Sequence, residues 1–301
     1  MSRIPADVER GVVTAWGARL GREPRIAASA PVGGGCISPS VRLESAAGDI
    51  AFLKWGVPGD TPAGLFTAEA RSLAALAAVG AIRVPEVLAA SEQGAGWLLL
   101  EWLEPGRPAA GTWEALGRGL AALHGSRTRR YGAAADNFIG SLPQANGWLD
   151  GWAAFWGEHR LEPQLRRACA AGHFSPADRR RFDRLLQALP ERLAGTEAEG
   201  ASLLHGDLWS GNVHVTAGGT AALVDPSSYH GHREVDLAMS ELFGGFQGDF
   251  YRAYAGAWPL LPGYDPLRRA VYQLYYLLVH VNLFGGGYVP TTLAALAHAG
   301  A

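Results

Sequence analysis

Short apolar runs of strand length dominate the first hundred residues, and helical spacing takes over beyond them. The stretch Pro31–Pro39 is rich in glycine, and Val41-Arg42-Leu43 and Ala51-Phe52-Leu53-Lys54-Trp55 follow as two strand-like runs. Leu65, Phe66, Ala70, Leu73 and Leu76 then recur at helical spacing, which predicts a helix over Thr61–Val79 with Gly80 as its C-terminal cap. Val84–Leu88 and Trp97–Glu101 read as two more strands. The predicted order is strand, strand, helix, strand, strand.

Glu104-Pro105-Gly106 interrupts this pattern and marks a boundary, predicting a lobe over 1–103 and a second over 104–301. Beyond it, Thr112 opens a helix with Trp113, Leu116, Leu120 and Leu123 on one face, ended by Gly125. Ser175-Pro176 opens another, with Phe182, Leu185, Leu186 and Leu189 inward. Val213-His214-Val215 and Ala221–Val224 read as strands joined by the turn Ala217-Gly218-Gly219. The most apolar stretch, Ala270–Phe284, carries Gln273, His280 and Asn282. It is too short and too polar to span a membrane and reads as a buried helix.

With 48% hydrophobic and 18% charged residues among 301, the chain is of globular composition. Its net charge of −2 offers no general attraction to nucleic acid or to acidic membranes. The clusters Arg127, Arg129, Arg130 and Arg179, Arg180, Arg181 read as solvated faces. The two cysteines, Cys36 and Cys169, have no metal-ligand spacing. The start of the chain lacks the apolar core of a secretion signal. The expected setting is therefore the cytoplasm, with neither nucleic acid nor membrane as partner.

The chemistry concentrates in His205-Gly206-Asp207-Leu208-Trp209-Ser210-Gly211-Asn212, followed by Leu223-Val224-Asp225. A carboxylate stands five residues before an amide, and a second carboxylate follows a short apolar strand. Phosphoryl transfer needs this set. Asp207 can orient a hydroxyl and accept its proton, and Asn212 with Asp225 can hold Mg²⁺ against nucleotide phosphates. Upstream, Lys54 ends a strand and Glu69 follows on the next helix. Alone, such a pair is an ordinary surface salt bridge. Before a catalytic loop of this kind it reads as a phosphate-binding lysine held by a glutamate. Gly33-Gly34-Gly35 can let backbone amides approach phosphate closely, although three glycines among 40 are weak by themselves. Cys36, within that loop, is a candidate for reversible oxidation; its plain alternative is a small loop residue.

HGDLWSGN with LVDPSSYHGHREVDLAMSELFGGF resembles the fructosamine kinase (ketosamine 3-kinase) family. Asn137-Phe138-Ile139-Gly140, Pro143-Gln144-Ala145-Asn146-Gly147-Trp148 and Asn282–Tyr288 resemble further pieces of it. The resemblance implies an α+β, bilobed protein-kinase-like fold. Its smaller lobe would be an antiparallel sheet with one main helix, and its larger lobe mostly helical. It implies ATP and Mg²⁺ as cofactors and a ketosamine or glycated amine as acceptor. The 3-hydroxyl would be phosphorylated, and the unstable product would release the amine. By the same resemblance Glu101, Trp102 and Leu103 would meet adenine, and Asp236 would brace the catalytic loop. Trp209, His232 and Glu234 are candidate substrate residues. The pair His230 and His232 has no third metal ligand at useful spacing. Pro226 after Asp225 excludes a protein-kinase-type switch.

Two other readings stay open at this level. One is a kinase of the aminoglycoside or choline phosphotransferase type, although Pro266–Ala301 lacks the acidic wall a polycation would need. The other is a non-catalytic nucleotide-binding protein on the same fold.

Overall fold

The computed structural model describes residues 4–33 and 38–300. The chain forms two compact units, Met1–Ala110 with Val213–Asp225, and Gly111–Asn212 with Pro226–Ala301.

The first unit opens with helix α1 (Ala6–Leu20) and strand β1 (Ile26–Pro31), neither of which the hydrophobic pattern predicts. Strands β2 (Ser40–Ser45) and β3 (Ile50–Trp55), helix α2 (Leu65–Val79) and strands β4 (Val87–Ser91) and β5 (Trp97–Glu101) follow in the predicted order. The five strands form one antiparallel sheet, ordered β1-β2-β3-β5-β4. Every second residue of β2 is buried, as expected of a strand with one face on a core. Val8, Val12 and Trp16 of α1 pack there with Val41, Leu43, Leu53, Trp55 and Trp97. Helix α2 begins at Leu65 rather than Thr61. Gly64 takes φ +89°, and the Thr61 hydroxyl accepts the Val57 N–H at 2.9 Å, so the preceding segment closes as a turn. Strand β4 starts beyond the predicted position because Pro85 has no N–H for the ladder.

The second unit is mostly helical. It contains α3 (Thr112–His124), β6 (Arg127–Thr128) and the hairpin β7 (Asn137–Ile139) and β8 (Leu142–Gln144). Next come α4 (Trp152–Phe155), a π-helical turn over Trp156–Leu161, α5 (Glu162–Ala170), α6 (Pro176–Arg192) and β9 (Ala201–Leu203). Helix α6 starts with a full capping box: the Ser175 hydroxyl accepts the Asp178 N–H, and the Asp178 carboxylate accepts the Ser175 N–H, both at 3.1 Å. The hairpin of β10 (Val213–Val215) and β11 (Ala221–Leu223) belongs to the first unit, where the Gly106 N–H donates to Val215 and the Leu223 N–H to Arg83. The chain then completes the second unit with β12 (His230–Gly231), α7 (Glu234–Leu242), α8 (Gly248–Ala257), α9 (Arg269–Phe284) and α10 (Val289–His298). Trp152, Phe155, Trp156, Tyr272 and Tyr275 are fully buried and ring-packed, so these aromatic side chains build core. The architecture is α+β, an antiparallel sheet unit and a helical unit, as in protein-kinase-like enzymes. No helix among the described residues is long and apolar enough to cross a membrane.

Candidate active site

In the first unit, β3 aims Lys54 at two carboxylates. Its ammonium lies 2.5 Å from Glu69 on α2 and 2.7 Å from Asp225 beyond β11. Lys54 and Glu69 are nearly buried, while Asp225 is about half exposed. Burial alone would depress the Lys54 ammonium, but the two carboxylates outweigh it and hold the lysine charged. Burial pushes Glu69 up to about 7, with Lys54 opposing and Asp225 adding to the rise. The other Glu69 oxygen, Oε1, is buried without a hydrogen-bond partner among the described residues. Asp225 has φ +52°, the one positive φ outside glycine among the described residues. Such strain persists where the surroundings impose it, typically at functional sites.

Glu101 ends β5 and accepts hydrogen bonds from Arg83 and from the Glu86 N–H. The Trp102 indole donates to Glu104 at 2.7 Å, and the Arg42 guanidinium lies 5.7 Å over its ring. Leu103 is half-buried. Gly33 has open space on its side-chain side. Gly34, Gly35 and Cys36 lie outside the described residues.

In the second unit, the buried Asp236 carboxylate on α7 organises the 205–212 loop. It accepts the backbone N–H groups of His205 at 2.8 Å and Gly206 at 2.9 Å, and lies 3.1 Å from His124 Nε2. Tyr276 donates to the Gly206 carbonyl at 2.9 Å. Gly206 has φ +84°, and a Cβ there would stand 2.1 Å from the Ser227 carbonyl oxygen, so only glycine fits the turn. The buried Asn212 amide donates to the Asp207 carbonyl at 2.8 Å and to its carboxylate at 3.2 Å. The start of the loop motif is thus held by α7, and its Asp207 and Asn212 are held by each other.

The three candidate substrate residues have different settings. Trp209 is half-buried, with its ring 6.5 Å from Phe243. His232 and Glu234 are buried in an ionic bracket instead of facing solvent. Glu234 pairs with Arg268 at 2.5 Å and accepts the Leu261 N–H. His232 meets Glu199 and the Tyr272 hydroxyl at 3.0 and 2.8 Å, and Arg233 pairs with the same Glu199 at 2.8 Å. Both residues therefore have the geometry of bracing groups. Sequence reasoning assigned no role to Asn137, Gln144, Asn146 or Arg160, although all four are buried and hydrogen-bonded to one another or to the segment after Asp225. Polar residues next to apolar ones in a hairpin carry no signal that separates burial from exposure.

The fructosamine kinase family model matches residues 10–299. The chain belongs to the fructosamine kinase family. A Synechocystis protein named "Probable ketoamine kinase" is 42% identical over 228 residues, covering 74% of this chain and 75% of its own. The chloroplastic protein-ribulosamine 3-kinase of Oryza sativa subsp. indica is 34% identical over 297 residues, 97% of this chain and 84% of its own. The solved structure of a candidate fructosamine-3-kinase from Thermobifida fusca superposes with a TM-score of 0.84 at 36% identity, covering 96% of this chain and 98% of its own. As a kinase family, this one implies ATP as the phosphoryl donor. Its named members do not favour the aminoglycoside, choline or non-catalytic readings.

Proposed function

We propose that this protein is an ATP- and Mg²⁺-dependent ketosamine 3-kinase, acting on the Amadori-type adducts of sugars with amines. The observation that carries the reading is the buried Lys54, held by Glu69 and Asp225, in a fructosamine kinase family chain that also bears the braced Asp207–Asn212 loop. In this reading Asp207 is the general base. It accepts the proton of the 3-hydroxyl as the O3–phosphorus bond forms and the bond from the γ-phosphorus to ADP breaks. Lys54, positioned by Glu69, takes the nucleotide phosphates, and the Gly33-Gly34-Gly35 loop lines them with backbone amides. Glu101, Trp102 and Leu103 form the adenine contact, and Trp209 offers an aromatic face to the sugar.

Asn212 and Asp225 would hold the metal. Their donors, one amide oxygen and one carboxylate, suit Mg²⁺, which takes one or two protein oxygens and completes its shell with phosphates and water. When bound, it neutralises charge on the transferring phosphoryl group. The strained backbone of Asp225 is a second sign of a fit, since it is the residue kept in an unfavourable conformation. The 3-phosphorylated product sheds its amine, so the outcome is deglycation. A reducing, cytoplasm-like compartment belongs to this reading.

The test is ATP consumption with Mg²⁺ on ribulosamine, erythrulosamine and fructosamine adducts of lysine, beside kanamycin and choline, with Asp207→Asn as control. Turnover on a ketosamine that the substitution abolishes is the expected result. Turnover confined to kanamycin or choline would reject the acceptor, and silence on every acceptor would reject the activity.

A further inference from the structure

Arg160 lies in the π-helical turn after α4, is fully buried, and makes no ion pair among the described residues. All its hydrogen bonds among the described residues go to neutral oxygens: the Ala145 carbonyl at 2.6 Å, the His159 carbonyl at 3.0 Å and Asn146 Oδ1 at 2.6 Å. Its charge is compensated by rings, with Tyr229 3.9 Å and Phe155 4.7 Å from the guanidinium carbon. A buried cation with no carboxylate is costly unless its donors are used.

The donors lead somewhere. Arginine donates only, so Asn146 must present oxygen to it and its NH₂ elsewhere. That NH₂ donates to Asn137 Oδ1 at 2.7 Å, which leaves the Asn137 NH₂ to donate to the Ser228 carbonyl at 3.0 Å. Gln144 follows the same polarity. Its oxygen accepts Tyr275 at 2.5 Å, and its NH₂ donates to Asn137 Oδ1 at 2.8 Å and to the Ser227 carbonyl at 3.3 Å. Ser227 is the residue whose N–H donates to the His205 carbonyl at 2.9 Å and whose own carbonyl abuts Gly206. The relay therefore ends on the segment that backs the His205–Asp207 turn.

We propose that Arg160 is a positioning residue: as a donor-only group it imposes one orientation on the Asn146, Asn137 and Gln144 amides, which hold Ser227 and Ser228 against the turn that carries Asp207. The consequence for turnover rests on Asp207 being the base, as above. The consequence for the turn does not.

The experiment pairs peptide-resolved amide hydrogen exchange with steady-state kinetics on Arg160→Met, Arg160→Lys and Asn146→Asp. The Asn146→Asp change gives Arg160 a carboxylate but removes the donor to Asn137. The expected result for Arg160→Met and Asn146→Asp is exchange over 205–212 at least about tenfold faster, with α6 and α10 unchanged. With it comes a kcat loss of roughly 10- to 100-fold, the range expected for misplacement by about 1 Å, while KM for ATP stays within about twofold. Arg160→Lys, which keeps a donor-only cation, restores most of both. Should Arg160→Met fail to fold, Asn146→Asp carries the decision, because a purely structural role predicts that its new ion pair leaves exchange and kcat at wild-type values. Unchanged exchange over 205–212, a loss confined to KM, or an Arg160→Lys variant as impaired as Arg160→Met would overturn the proposal. Altered exchange in a protein that turns over no ketosamine would sink the proposed activity and leave the positioning role standing.

Discussion

Replacing Asp236 with asparagine changes one atom at the centre of the loop that carries Asp207. In the native protein Oδ2 accepts the His205 N–H and faces His124, while Oδ1 accepts the Gly206 N–H. Whichever way the new amide sits, its NH₂ opposes one of those two backbone N–H groups. An orphaned buried donor costs about 1–3 kcal/mol. The surviving bond also loses its charge assistance, worth about 1 kcal/mol more. Asp236 is fully buried, so water cannot replace the missing acceptor. The sum is about 2–4 kcal/mol in the helical unit. Urea unfolding followed by tryptophan fluorescence measures it, because Trp152 and Trp156 report on that unit's core. Asp236→Ala, which orphans both N–H groups and leaves a cavity, is expected to cost more than Asp236→Asn. The kinetic expectation is a kcat loss of at least about tenfold with KM for ATP little changed, since the turn moves and Lys54 does not. A variant within about 0.5 kcal/mol of wild type that keeps half its kcat would refute the idea that this carboxylate holds the turn.

Other expectations follow from the two ionic clusters. Lys54→Met leaves Glu69 and Asp225 without their shared cation, so Glu69 takes up a proton; the expected loss in kcat/KM for ATP is about 10²-fold, read by initial rates at varied ATP. Burial pulls Glu199 upward, but hydrogen bonds from His232 and Arg233 hold it down to about 2. A depressed carboxylate stabilises the fold above its unfolded value and loses that contribution as pH falls from about 4.5 through about 2. The full contribution would be roughly 3 kcal/mol, which solvent screening reduces to about 1–2 kcal/mol. Glu199→Gln is therefore expected to flatten the acid side of the stability–pH curve in that window, and an unchanged slope would count against the bracket.

The candidate catalytic loop was legible because its residue types and spacing are those that phosphoryl transfer requires. Asp207, Asn212 and Asp225 have the residue types and sequence spacing that phosphoryl transfer calls for, and Gly206 stands where no other residue fits. Strands β2, β3 and β5 and helix α6 were legible from periodicity and capping. Helix α1 was not, because Gly11 and Gly17 interrupt a weakly patterned run. Strand β1 was not, because Ile26–Pro31 is built of small, mostly exposed residues with no alternation.

By itself, then, the sequence determined the order of the main strands and the local chemistry of the loop, both set by neighbours within a few residues, while the α+β class followed from the family resemblance of its motifs. Only the tertiary structure decided the state of the polar residues. His232 and Glu234 looked like substrate groups, yet their partners Glu199 and Arg268 lie 33 and 34 residues away. Asn137 meets Ser228 across 91 residues. Burial of a polar side chain depends on who satisfies it, and that is settled by long-range packing, not by the pattern in which the residue sits.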